Sequence, residues 1–299
     1  MRAVLAPVSL SLVAVVALGV VGCGGGAPSA EPSVSLVSSS APSASSTSRL
    51  MPPVRPVRVF AAQVASAESV IAAPGSTAGA VRAAGEFEQL AVRALSEARA
   101  GVRRRVLARL SGRAHRIIAA DLAAAGGLRS ITPPQPSLPP WRIVDPLPAT
   151  QLMRIYRRAA RTTGVPWTYL AAINFVETKF GRIVGPSYAG AQGPMQFMPA
   201  TWAAYGRGGD VHDPRDAIPA AARYLRAHGA PRDMTRALYA YNHSTSYVNA
   251  VRSYAGVMRR WPRSILGYRS WRVLYRARSG VWVLPLGYPK AKAIRLSAD

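Results

Sequence analysis

The chain has 299 residues, 49% of them hydrophobic, and 38 Lys and Arg against 13 Asp and Glu give a formal charge of +25. That length and apolar content suit one sizeable domain with extensions and exclude a wholly disordered polymer. The charge is spread along the chain, which points to polyanionic partners such as nucleic acid, anionic lipid or an acidic cell-wall polymer, and the single cysteine, Cys23, excludes an internal disulfide and a cysteine-based metal site.

Met1-Arg2 is a short cationic start, and residues 6–22 form an uncharged, largely apolar run of the kind a secretory signal uses. The run ends in Val20-Val21-Gly22-Cys23, which resembles the lipobox of bacterial lipoproteins and implies cleavage before Cys23 and lipidation of its thiol. An uncleaved apolar anchor is the alternative. Either reading of residues 1–23 puts the rest of the chain outside the cytoplasm and argues against nucleic acid as the partner. Residues 24–58 are mostly Gly, Ser, Pro and Ala, a tether that averages roughly 30 Å end to end and reaches at most roughly 110 Å.

Residues 59–130 form an expected helical extension. Within it, residues 85–125 keep apolar side chains at a helical period with arginines between them, and Gly126-Gly127 follow as a stop signal. One continuous helix would span about 60 Å; a packed helix or hairpin broken near Ser111-Gly112 is preferred to a helix lying on a membrane surface. The Pro-rich stretch 131–144 is a semi-rigid connector. Residues 145–261 show short helical patterns punctuated by Gly and Pro, so the fold is expected to be mainly α. In the tail, 262–299, alternation of Trp271, Val273 and Tyr275 with polar residues, then Arg278-Ser279-Gly280 and Val281-Trp282-Val283-Leu284, predicts a small β-hairpin. Trp271, Tyr275 and Trp282 could stack on sugars, but alternating aromatics are expected to pack on the neighbouring domain.

One glutamate lies after Glu97, and it sits in an apolar setting: residues 173–181 run INFVETKFG. Pro166 is expected as the first residue of a helix and Gly181 as the residue just past its end, which places Glu177 in the last turn. Apolar surroundings and the negative end of the helix dipole both raise a carboxyl pKa, as a general acid requires. The bland alternative is a surface glutamate paired with Lys179 or Arg182. Residues 187–202, SYAGAQGPMQFMPATW, then bring small residues that allow close backbone approach and place Gln196, a donor and acceptor for sugar hydroxyls, just before a helix.

These two segments, with DPRDAI at 213–218, ARYLRAHG at 222–229 and YAYNHS at 239–244, resemble the soluble and membrane-bound lytic transglycosylases over about residues 150–255, with the nearer likeness to the membrane-bound type B branch. The resemblance implies a lysozyme-like helical domain that cuts the β-1,4 bond between N-acetylmuramic acid and N-acetylglucosamine in peptidoglycan and leaves a 1,6-anhydro sugar, with Glu177 as both acid and base and no cofactor. It further implies that Ser187 orients the reacting groups, that Met195 and Gln196 of the Gly-x-x-Gln turn bind sugar, and that Tyr224, Tyr241, Asn242 and Tyr247 line the cleft, Tyr241 being the expected partner of Glu177. Asp213, Pro214 and Asp216 fit a helix start better than a second carboxylate site. Residues 205–211 hold too few oxygen ligands for the calcium loop of some type B enzymes, so no metal is expected, and the long insertion of that branch between glutamate and serine is missing. The expected partners are glycan strands and an anionic wall or membrane surface, for a monomer held as a lipoprotein on the outer side of the cytoplasmic membrane. A lysozyme-like muramidase that hydrolyses the bond, and a non-catalytic peptidoglycan-binding lipoprotein, are the alternatives.

Overall fold

Eleven helices and five short strands account for residues 51–296, which the computed structural model describes; the expected signal segment with Cys23 and residues 24–50 of the expected tether lie outside them. The chain enters through α1 (Val57–Ala72), α2 (Ala78–Glu97), α3 (Ala100–Leu107) and α4 (Gly112–Ile131). The expected helix over 85–125 is therefore interrupted twice. A break does fall at Ser111, but Ala98 and Arg99 also turn extended, where no Gly or Pro marks it. Gly126 and Gly127 do not stop α4, because packing along α10 (Thr245–Arg260) carries the helix on to Ile131 against a propensity cost of about 1 kcal/mol per glycine.

Next come α5 (Ala149–Thr163), α6 (Trp167–Thr178), α7 (Pro199–Tyr205), α8 (Pro214–Ala227) and α9 (Met234–Tyr241). Asp213 caps α8 as expected, its side chain accepting from the Arg215 N–H, with Pro214 first in the helix and Asp216 in the first turn. The organising element is α6. Leu170, Ala171, Ala172, Ile173 and Phe175 are all fully buried, and a helix that is apolar all round must be enclosed by protein on every side. Helices α5, α8 and α10 supply most of that enclosure. Phe175 then carries it outward: its ring packs on Phe180, on Tyr254 of α10, on Tyr268 of α11 (Ser264–Ser270) and on Trp271, with centroids 4.8–5.3 Å apart.

The tail holds more than the expected hairpin. Helix α11 comes first, then β3 (Val273–Ala277) and β4 (Gly280–Leu284) form the hairpin, and β5 (Ile294–Leu296) adds a third antiparallel strand. Val273, Tyr275 and Ala277 share the buried face, where the Trp141 ring meets Tyr275 edge-on at 5.4 Å. The connector is stitched to this sheet, with Gln135 bonded to Arg276 and Arg278 through the backbone. Its end forms β1 (Arg142–Ile143), paired with β2 (Ile183–Val184) just beyond the end of α6.

Extension and tail meet across the back of α6. Gln89 and Arg272 exchange hydrogen bonds of 2.8 and 2.7 Å, and the Trp271 indole N–H donates to Glu88 Oε2. Three buried carboxyls, Glu68 (2% exposed), Glu88 (3%) and Asp121 (0%), gather at this junction. Burial drives the Glu88 and Asp121 pKa values well up, Glu88 further through the charge of Glu68, while Arg113 pairs with Glu68 at 3.1 Å.

Helices α2 and α11 cross at Gly85 and Gly267, where a Cβ added to Gly85 would stand 2.5 Å from the Gly267 carbonyl oxygen. A backbone atom cannot yield as a side-chain tip can. Gly85→Ala is therefore expected to destabilise the chain by about 1–3 kcal/mol, read as a lowered urea midpoint with unchanged slope.

Candidate active site

Helix α6 ends abruptly beside Glu177. Its N-terminal boundary is Pro166, which caps the helix from an extended conformation (ψ 132°) and is not its first residue, one position off the expectation. At the other end Lys179 (φ 54°) and Phe180 (φ 66°) enter the left-handed region before Gly181 does. Two consecutive non-glycine residues there are strained, and they persist because the surroundings fix them. The Thr178 hydroxyl donates to the Pro194 carbonyl at 2.7 Å and accepts from the Gly181 N–H at 3.0 Å. Asn174 Nδ2 donates to the same Pro194 carbonyl at 2.8 Å, and the Tyr156 hydroxyl donates to Asn174 Oδ1 at 2.6 Å. These buried groups clamp the helix end to the 187–197 loop. The sequence assigns neither Tyr156 nor Thr178 a role at the site; for Asn174 and Thr178 the signal is a polar side chain within an otherwise apolar helix, and for Tyr156, on α5, there is none.

The loop is itself tightly determined. Ser187 Oγ accepts from the Ala191 N–H at 3.0 Å, and Gln192 and Phe197 exchange backbone hydrogen bonds of 2.8 Å. At Gly193 (φ 73°) an added Cβ would lie 1.9 Å from the Val211 carbonyl oxygen, so only glycine fits. Gln196 is left-handed (φ 51°) and its side-chain amide folds back onto the Gly193 carbonyl at 2.9 Å.

Tyr247, in the first turn of α10, donates its hydroxyl to Glu177 Oε1 at 2.7 Å. This corrects the expectation for Tyr241. That residue ends α9 and points its hydroxyl at the Met195 carbonyl, 2.6 Å away, so it holds the loop and does not touch Glu177. Tyr224 likewise spends its hydroxyl on the Ala240 carbonyl and stacks on His228. Asn242 caps the end of α9 and is buried, as are Ser187, Met195 and Gln196. Neither basic neighbour forms an ion pair with Glu177: Lys179 donates to the Phe175 carbonyl with its ammonium 4.3 Å from the Phe175 ring centroid, and Arg182 turns to Asp145.

The half-buried Glu177 carboxyl is pushed up to about 8, by burial against the opposing hydrogen bond from Tyr247 and the charge of Lys179. Burial in turn lowers the Lys179 ammonium to about 8. Beside them opens a cavity of about 270 Å³, in whose lining Glu177 is the sole carboxylate among the described residues. Much of the wall comes from outside α6: Arg93 of α2, Arg129 of α4, Trp141 and Gln135 of the connector, and Trp271 and Tyr275 of the tail. The aromatic alternation had pointed Trp271 and Tyr275 to packing, and they do pack; they also border the cavity. Among the described residues no cluster of His, Cys, Asp or Glu could hold a metal ion.

Residues 154–262 match the family model described as the Transglycosylase SLT domain. This stretch is similar to the transglycosylase SLT domains. No curated protein and no solved structure matches the chain. The SLT domain is lysozyme-like and helical, and it supports assignment to the lytic transglycosylase type of peptidoglycan enzyme. It contains α6, the 187–197 loop and Tyr247, whereas the four extension helices and the C-terminal sheet fall outside it.

A carboxyl titrating near 8 keeps its proton at neutral pH and loses it as pH rises through that value. Tyr247 stabilises the ionised form, so Tyr247→Phe is expected to move the alkaline limb of the pH–rate profile upward while lowering kcat about tenfold or more through lost orientation of the carboxyl. A pH profile of wall-lytic turnover for both forms checks the pair of effects.

Proposed function

We propose that the chain is an exported peptidoglycan lytic transglycosylase, a lipoprotein anchored through Cys23 and related to the membrane-bound type B branch, that cuts the bond between N-acetylmuramic acid and N-acetylglucosamine with Glu177 as its one acid and base. The supporting observation is a proton-retaining carboxyl held by Tyr247 at the edge of a cavity with no second carboxylate in its lining among the described residues. A hydrolase of the usual design needs two.

One carboxyl suffices if the second step uses the substrate. Glu177 gives its proton to the glycosidic oxygen, and the bond from that oxygen to C1 breaks. The ionised carboxylate then takes the proton of the muramyl C6 hydroxyl as its oxygen closes on C1, which forms the 1,6-anhydro ring and restores the acid. Ser187, Met195, Gln196 and Asn242 line the glycan path in this reading, and Tyr224 and Tyr241 brace it through the carbonyls that their hydroxyls engage. The charge of +25 keeps the protein close to an anionic wall.

Mass analysis of fragments released from purified sacculi is the direct test. Anhydro-muramyl ends are expected, and reducing muramic acid as the sole product would establish hydrolysis and refute the reading. Glu177→Gln should lower release about a thousandfold or more. The folded pKa of Glu177 lies above the ordinary value of 4.5, so the native state holds a proton that the unfolded chain has released, and wild-type stability falls as pH rises from about 4.5 to about 8. The Gln variant lacks that slope, and its melting temperature at pH 8 should exceed that of the wild type.

A further inference from the structure

The cavity beside Glu177, to whose lining the SLT stretch adds Glu177 and Lys179, has an arginine wall that comes wholly from outside that stretch. Arg93 on α2, Arg129 on α4 and Arg276 on β3 all line it. Only Arg93 has a carboxylate partner among the described residues, Glu97. Arg129 donates to Ser96 Oγ, and Arg276 donates to the carbonyls of Arg129 and Thr132 at 3.1 and 3.0 Å. Burial and then the charges of Arg93 and Arg276 hold the Arg129 guanidinium below its ordinary value; burial and the charge of Arg93 do the same to Arg276. Guanidinium groups gathered with so little counter-charge are relieved by a bound anion, and their planar forks suit carboxylates.

A second observation points to a ligand. Arg93 Nε, Gln135 Oε1 and the Tyr275 hydroxyl are buried with no hydrogen-bond partner, and all three residues border this cavity. Buried donors and acceptors are ordinarily paired, so such a set in one wall marks where a polar guest would fit. The rest of the wall is apolar, with Val92, Leu128 and Val273. A cavity of about 270 Å³ accepts a short peptide segment and not a coil of polymer.

We propose that this cavity is the subsite for the peptide stem carried by the muramyl residue, whose free carboxylates are bound by Arg93, Arg129 and Arg276 and whose amides meet Gln135 and Tyr275. The inference rests on Glu177 being the acid, because the lactyl ether that carries the stem belongs to the ring cleaved there. The extension and the tail thus select peptide-bearing strands, while the SLT domain does the cutting.

Calorimetry on the full chain tests the subsite without turnover, using the free stem peptide, the same peptide with its carboxylates amidated, and inorganic phosphate. The free peptide should bind, amidation should weaken it, Arg129→Gln should weaken it about tenfold, and Arg129→Lys should restore part of the loss. Equal binding of the free and amidated peptides, no peptide binding, or binding of phosphate alone would overturn the proposal. In turnover, the ratio of kcat/KM on peptide-bearing strands to that on amidase-stripped strands should fall about tenfold in Arg129→Gln; a ratio unchanged by the substitution overturns it as well. Should the wild type cut neither strand, the role of Glu177 fails on its own, and the calorimetric result still decides the subsite.

Discussion

An all-round apolar helix cannot meet water, and α6 imposes that condition on the whole molecule. With Leu170 to Ile173 and Phe175 fully buried, α5, α8 and α10 enclose most of its circumference, and residues of the tail supply part of what remains. Phe175 shows the cost of leaving them off: Tyr268 and Trp271, two of its four ring partners, come from beyond residue 262. Burying a ring of this size is worth roughly 1.5–3 kcal/mol, so the enclosure is a material part of the stability of the helix that carries Glu177.

The same enclosure sets the chemistry. A carboxyl on an exposed helix end would titrate in the usual range, and burial raises Glu177 to about 8. Position comes from polar groups that have no other outlet. Asn174 and Thr178 both spend their donors on the Pro194 carbonyl, which fixes the left-handed exit of the chain and brings the 187–197 loop against the acid. Strain at Lys179, Phe180 and Gln196 is thus localised at the site and held there by tertiary contacts.

Much of this was legible in residues 145–261. Pro, Gly and capping Asp are strong local signals, and they placed the starts of α6 and α8 to within a residue, while α6 ends two residues before the end that Gly181 marked, because Lys179 and Phe180 already turn left-handed. The apolar run around Glu177 foretold its raised pKa, because burial follows from composition. Tyr241 and Tyr247 could not be told apart. Both flank the same loop in sequence, and the choice between them depends on where α9 and α10 aim their hydroxyls. The break at Ala98 and the passage of α4 through Gly126-Gly127 were hidden for a related reason: tertiary packing outweighed local propensity in both directions. Least visible was the cavity wall. Arg93, Gln135 and Tyr275 lie in segments that carry no motif and meet only in three dimensions.

The reciprocal bonds between Gln89 and Arg272 join residues 183 positions apart. Contacts so distant along the chain form late, since their loop must close before they contribute anything. During vectorial synthesis the SLT segment emerges before Trp271 and β3, so for that interval α6 lacks part of its cover and the acid lacks one side of its pocket. The surroundings of Glu177 are consequently complete only once residues 271–284 have joined the fold, so the environment of this carboxyl, which belongs to the matched stretch, depends on chain that lies outside it.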